Sequence, residues 1–238
     1  MTLTSPSVPG RITVIGPGRL GSALAVALDP HADVTLAGRG ADGDGADLVL
    51  LCVPDAEIAR AAAAVSPGPL VGHCSGATGL GALAPHEALG LHPLMTVTAA
   101  GAPLAGAGAA VAGSSPRALA TAHALATALG LDAVELADAD RAAYHAAASV
   151  ASNFLVTLEA FAEALLPVPR RLLVPLVRAT VESWAAQGPE LALTGPIARG
   201  DDATVALQRD AVADRTPERL ALWDHLAAAT AELAGARR

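Results

Sequence analysis

The chain contains no lysine. All 15 of its basic residues are arginines, so no lysine can act as acid, base or Schiff-base nucleophile, and a catalytic scheme must draw its protons from other groups. Cysteine is nearly absent as well, with Cys52 and Cys74 the only two. Such a pair makes neither a disulfide framework nor a metal-ligand motif, so no metal is expected, and Cys52 reads as a small core residue in an apolar strand. Positive charge is in deficit. The formal net charge of −8 leaves no basic footprint for nucleic acid. No apolar run is expected to reach the length of a membrane span, and Met1–Pro9 lacks the basic stretch and apolar core of a secretory leader, so the expectation is a cytoplasmic protein with no membrane partner. What the chain has in quantity is apolar side chains, 53% against 16% charged, enough for a sizeable core.

The most informative segment opens with the apolar run Ile12-Thr13-Val14-Ile15 and passes into Gly16-Pro17-Gly18-Arg19-Leu20-Gly21. That is G-x-G-x-x-G set where a first strand turns into a first helix, the context that gives the pattern its meaning. Its glycines allow a tight turn, close approach of backbone to a pyrophosphate, and close packing of helix on strand. The helix start behind them presents free N–H groups to phosphate. A second strand over Asp33–Ala37 should end at Gly38-Arg39-Gly40. An NAD-selective site would place an acidic side chain there; here glycine is followed by Arg39. A guanidinium fork suits a 2′-phosphate, so the expected cofactor is NADP (NADPH), the plainer alternative being that Arg39 is a solvated turn residue.

The first half continues as alternating strand-like and helix-like segments. Ala46–Val53 reads as a central strand buried on both faces. Further strands are expected near Leu70–Cys74, Gly90–Pro93, Ala109–Ala112 and Asp132–Leu136, with helices over Ala56–Val65 and Ser115–Leu129 and a glycine-rich link without a helix over Gly38–Ala46. From about Ala137 strand-like runs cease and helices are expected over Asp138–Leu165, Arg170–Gln187, Asp201–Asp214 and Thr216–Ala234. The expected fold is α/β: an N-terminal Rossmann domain with a doubly wound parallel sheet over residues 10–136, then an all-helical substrate domain over 137–238.

Ligands in such sheets lie outside the carboxyl ends of the strands. Val53 and Pro54 should pack near the nicotinamide, and Ser75 suits either a hydrogen bond to the cofactor or a helix cap. His92 lies at a strand end, as a substrate ligand or a structural histidine. On the long helix Tyr144, His145, Ser149, Ser152 and Asn153 punctuate an otherwise apolar stretch. His145, Ser149 and Asn153 are spaced i, i+4, i+8, which stacks them on one helical face, turned either to a cleft or to solvent. A histidine titrating near pH 6.5 can donate the proton that carbonyl reduction requires, while Ser149, Asn153 and Ser152 orient the substrate. Arg199, in the loop Leu193–Asp201, suits a carboxylate or a surface position, with Asp201 placed to cap the next helix.

Together IGPGRLGSALA, HCSGATGLGAL, GLHPLMT, YHAAASVASNFLV and LTGPIARGD resemble a group of Rossmann-like oxidoreductases with a helical C-terminal domain of unknown function. Some members look like an alternative ketopantoate reductase, the NADPH-dependent step towards pantothenate. The architecture is also similar to pyrroline-5-carboxylate reductase and the 6-phosphogluconate dehydrogenase superfamily, whose helical domains often dimerise. Ordinary ketopantoate reductases carry a lysine and two asparagines at i, i+4, i+8. The resemblance puts Asn153 on the last of these, Ser149 on the middle one and His145 on the lysine. It implies reduction of a small 2-oxo acid, with ketopantoate as the named candidate. An imine substrate arrives already protonated, so an imine or pyrroline carboxylate reductase is the alternative. A non-catalytic NADP-binding sensor is the alternative from another class.

Overall fold

The computed structural model describes residues 7–98, 103–166 and 168–235. Residues 1–6 of the N-terminal stretch lie outside the described residues. The chain forms two compact units, Met1–Ser152 and Asn153–Arg238. Thus Asp138–Ser152 belongs with the sheet, whereas the sequence assigns everything after 136 to the helical end.

The first unit runs β1 (Arg11–Ile15), α1 (Arg19–Leu28), β2 (Asp33–Ala37), β3 (Leu48–Leu51), a 3₁₀ turn at Asp55–Glu57 leading into α2 (Ile58–Ala63), β4 (Leu70–His73), β5 (Ala88–Leu94), β6 (Gly108–Gly113), α3 (Pro116–Ala128) and β7 (Asp132–Glu135). The seven strands are ordered β2-β1-β3-β4-β5-β6-β7. All neighbours are parallel except β5 and β6, which pair antiparallel. The sheet is thus mostly parallel, as expected, with one antiparallel pair. A parallel return needs a crossover of a dozen or more residues, usually a helix, and the described residues between β5 and β6 contain none. From β6 to β7 the chain passes through α3 and returns parallel.

The pleat of β3 explains its unbroken apolar run. Leu48 and Leu50 pack with Leu24, Leu28, Leu89 and Leu125 on one face of the sheet, while Val49 and Leu51 pack with Ile58, Val71 and Leu83 on the other. All four β3 side chains are buried, as alternation across a sheet covered on both sides requires. Each such leucine contributes roughly 1.5–3 kcal/mol through burial. Ser115 caps α3 by accepting the Ala118 N–H at 3.1 Å, with Pro116 in the first turn. Gly130, at φ +68°, ends the helix as expected.

After β7 come α4 (Arg141–Ser149) and a five-residue π-helical turn, Val150–Phe154. The second unit contains α5 (Leu155–Leu165), α6 (Val174–Gln187), α7 (Pro189–Ala192), α8 (Pro196–Arg199), α9 (Asp202–Arg215) and α10 (Leu220–Gly235). Asp201 caps α9, accepting the Thr204 N–H at 3.1 Å. The helical run Asp138–Leu165 is 28 residues long and contains an 18-residue stretch of mean hydropathy 1.2, only 6% of it buried, so it is long and apolar enough to cross a membrane by length and composition alone. The sequence places a helix over these residues but counts no apolar run of spanning length in it. Alanine supplies the hydropathy, and Tyr144, His145, Ser149, Ser152 and Asn153 interrupt it.

Candidate active site

The glycine turn is built by contacts that no side chain could share. A Cβ on Gly16 would lie 2.4 Å from the Cys52 carbonyl oxygen, at a φ of +114°. One on Gly21 would lie 2.0 Å from the Gly16 carbonyl. Gly21 therefore lets α1 pack down on the turn, and Leu20 packs against the core below. Gly18 differs: nothing lies within 4 Å of its Cβ position, so the space a phosphate would take is open. Gly18 is also the N-cap of α1 and has no side chain to cap it, leaving first-turn N–H groups for an anion. Arg19 begins that helix.

A cavity of about 430 Å³ opens above this turn, lined among others by Gly16, Pro17, Gly18, Arg39, Val53 and Pro54. That is within the size range of ligand sites. Arg19, Leu20, Gly21 and Ser75 are not among its lining residues. Two further charged side chains line it, Glu57 and Arg60, which form an ion pair. The sequence reading passed over them because they sit in what looked like an ordinary helix after β3.

Beyond Pro54 the chain continues into a second, polar group of residues. Asp55 accepts the Ser75 hydroxyl proton at 2.8 Å, and Ser75 Oγ accepts the N–H groups of Ala77 and Thr78 at 3.2 and 2.9 Å. Ser75 is thus engaged within its own turn. His92, on β5, is hydrogen-bonded through Nδ1 to Tyr144 Oη at 2.8 Å, with the two rings edge-to-face at 5.5 Å. A Cβ on Gly76 would lie 2.9 Å from the His92 ring, so the turn after β4 closes on His92. Burial, followed by repulsion from His145, pulls His92 from its ordinary 6.5 down to about 4. It is therefore neutral at physiological pH. Burial also raises the Tyr144 phenol.

Beneath lies His73, fully buried on β4. Its Nδ1 accepts the Ser75 N–H at 3.2 Å, and its Nε2 has no hydrogen-bond partner among the described residues. Burial, then the Arg141 charge, holds its pKa below the usual value. Arg141 is itself only 4% exposed and ion-paired to Asp138 at 2.7 Å. The Asp138 carboxylate lies 2.8 Å from the Cβ position of Gly79. The pair fixes the start of α4 against the turn after β4, which brings Tyr144 to His92. Sequence spacing could not find these contacts, since Tyr144 and His92 are 52 residues apart. The one available signal was that Tyr144 is the sole tyrosine.

The remaining expected residues are placed differently. His145 is exposed on α4, one turn before Ser149. Ser152 donates its hydroxyl to the Ala148 carbonyl at 2.7 Å. Asn153 lies inside the π-helical turn, where the backbone winds more slowly than 3.6 residues per turn. The regular i, i+4 relation therefore stops at Ser149. Arg199 ends α8 in the second unit and is exposed.

Residues 107–230, more than half of the chain, match the family described as domain of unknown function (DUF2520). The chain belongs to the DUF2520 family. Residues 33–98 match a Rossmann-like domain. None of the curated proteins searched matches the chain. Among solved structures, this DUF2520 protein is similar to BF3122 from Bacteroides fragilis, assigned as an NADP oxidoreductase (21% identity, TM-score 0.78, 96% of this chain and 100% of that one). It is similar to a reductive aminase from Aspergillus terreus in complex with NADPH and ethyl levulinate (19%, 0.64, 98% and 100%). It is also similar to the pyrroline carboxylate reductase of Plasmodium falciparum with NADP bound (10%, 0.61, 93% and 98%). At these identities the likeness is one of fold.

Proposed function

We propose that this DUF2520 protein is an NADPH-dependent reductase of a small carbonyl or imine compound. The observation that carries the reading is the cavity over the glycine turn, with an uncapped helix start, an open Gly18 and two arginines, Arg39 and Arg60, on its wall. These residues fit a dinucleotide: Gly16–Gly18 and the α1 N–H groups for the pyrophosphate, and Arg39 and Arg60 for the 2′-phosphate. The names of the similar structures support the same cofactor. When bound, the cofactor supplies the hydride.

The protein's own part is to position the acceptor and deliver a proton. With His92 carrying its proton on Nδ1, it donates to Tyr144 Oη, and the phenol's own proton is free for a substrate oxygen. The phenolate left behind regains a proton from Nδ1 as Nε2 takes one up. A neutral His92 suits this role, because it can pass a proton without holding a charge. His145, next along α4, is the second donor candidate. Ser149, Ser152, Asn153 and Arg199 are proposed to orient the substrate, Arg199 through a carboxylate.

For a 2-oxo acid, ketopantoate is the substrate proposed first, which would place the protein in pantothenate biosynthesis. The imine reading is favoured by one specific feature: the chain has no lysine to serve as proton donor, and an iminium ion arrives already protonated. NADPH consumption measured with ketopantoate, other branched 2-oxo acids and a cyclic imine, with NADH alongside, decides between them. Silence on the whole panel with NADPH bound would favour a sensor instead.

The protein is further proposed to act as a homodimer through its helical unit. Among the described residues of Asn153–Arg238, only Phe161 and Val212 are buried apolar side chains, while Leu172, Leu176, Trp184, Leu191 and Leu207 are more than half exposed. So large an unburied apolar surface marks an association face, and a second copy supplies the matching surface.

A further inference from the structure

The chain's two cysteines, 22 residues apart in sequence, meet in space: Cys52 Sγ–H donates to Cys74 Sγ at 3.8 Å. Each stands one residue beyond its strand, and Leu51 of β3 pairs with His73 of β4, so the two cysteines hold equivalent register positions on adjacent strand ends. Neighbouring strands lie about 4.8 Å apart, inside the roughly 4.4–6.8 Å window of Cα separations that a disulfide spans. Side-chain rotation is thus the main movement a bond would require.

The two thiols are unequal. Cys74 is 7% exposed, and its hydrogen bond with Cys52, then burial, push its pKa up. Cys52 is half-buried and lines the dinucleotide cavity, where a small oxidant can reach it. Cys52 is also the wall on which the glycine turn rests. Its carbonyl oxygen is the atom 2.4 Å from the Gly16 Cβ position, and its own Cβ is 3.1 Å from that of Gly21.

We propose that Cys52 and Cys74 form a reversible thiol–disulfide switch, driven by peroxides, that weakens NADPH binding when oxidised; this rests on the cofactor reading given above. The Cys52 thiolate attacks the peroxide O–O bond, giving a sulfenic acid and releasing the alcohol (water, for hydrogen peroxide). Cys74 sulfur then attacks Cys52 sulfur, the S–O bond breaks, and water leaves with the Cys74 proton. The two thiols lose two electrons and two protons, and the peroxide gains them. Drawing the sulfurs from 3.8 Å to about 2.0 Å reorients the Cys52 side chain, which lines the cavity. The bond also locks to β4 the residue whose Cβ and carbonyl back the glycine turn. By linkage, bound NADPH protects the thiols as much as the disulfide weakens NADPH.

The test uses the full chain, first reduced, then treated with hydrogen peroxide, then with dithiothreitol. Free thiols, intact mass and NADPH affinity are measured at each stage. Oxidation should remove both thiols, lower the mass by two hydrogens and raise the NADPH Kd by roughly tenfold or more, an ordinary size for coupled sites. Dithiothreitol should restore all three. Cys74→Ser, or Cys74→Ala if the hydroxyl is poorly tolerated, should show no such fall in affinity. Thiols that survive peroxide, a covalent dimer in place of the internal bond, or an equal affinity loss in the Cys74 variant would each overturn the switch. Reduced protein that binds no NADPH would instead sink the cofactor reading, because the thiol count and mass still report the disulfide.

Discussion

Tyr144 and His92 are bonded to each other, Oη to Nδ1, at 2.8 Å, across the joint between the last strand-side helix and the centre of the sheet. Removing the phenol should therefore strike the proton transfer while leaving the cofactor cavity alone. Tyr144→Phe is expected to lower kcat by about 10²-fold, the low end of general acid catalysis, with NADPH affinity unchanged. His145→Ala should cost far less. If His145→Ala carries the large loss and Tyr144→Phe the small one, the donor has been assigned to the wrong residue.

Acid stability should reflect the buried histidines. His92 titrates at about 4 in the fold against 6.5 ordinarily, and His73 is lowered too. Between those values the unfolded chain binds a proton at His92 that the folded chain does not, so stability falls as pH drops from about 6.5 towards 4, by at most about 1.4 kcal/mol per pH unit for that group, and His73 acts in the same direction. The Glu87 carboxylate, held near 2 by Arg117 and Ser115, acts the same way in a lower window, from its ordinary 4.5 down. Denaturant unfolding of the wild type and His92→Asn across pH 7 to 4 separates the two, since the variant should show a shallower loss above pH 4.5.

Cofactor choice should rest on both cavity arginines. Replacing Arg39 or Arg60 by alanine removes a charge-assisted contact worth about 1.5–3 kcal/mol, so the NADPH KM should rise by roughly ten- to a hundredfold. The NADH KM should hardly move. Arg60 is also paired with Glu57, so Glu57→Gln should tighten NADPH binding or leave it unchanged. A loss for both dinucleotides alike would mean the arginines shape the cavity without reading the 2′-phosphate.

The glycines should separate into builders and a gate. Gly16→Ala and Gly21→Ala press a methyl to within 2.4 and 2.0 Å of backbone oxygens and should cost several kcal/mol in unfolding experiments. Gly18→Ala meets nothing within 4 Å at an extended φ of −78°. It should fold normally and lose NADPH affinity. A Gly18→Ala protein that binds NADPH as well as the wild type would mean the phosphates do not approach there.

Light scattering tests the association face. The wild type should run at twice its 23.5 kDa. Leu176→Glu with Trp184→Glu, both side chains more than half exposed, should yield the single-chain mass and a lower melting temperature. A wild type of single-chain mass would end the homodimer reading.

The local part of this protein was set by the chain alone. Glycine spacing after a short apolar run, the unbroken β3 stretch, the Ser115 and Asp201 caps and the stop at Gly130 all depend on neighbours within a few residues. Their physics is steric or one hydrogen bond long, so β1, α1, β3, α3 and α9 could be read before any coordinates. Tertiary structure decided what depends on residues far apart in sequence. The antiparallel pairing of β6 with β5 is a choice of strand neighbour that no local propensity reports. The π turn at Val150–Phe154 breaks a spacing that regular periodicity assumes. The His92–Tyr144 bond, the Ser75–Asp55 bond, the Arg60 wall of the cavity and the meeting of Cys52 with Cys74 arise only when strand ends are laid side by side. Sequence distance carries no record of that order, because it is fixed by which apolar faces the sheet must cover.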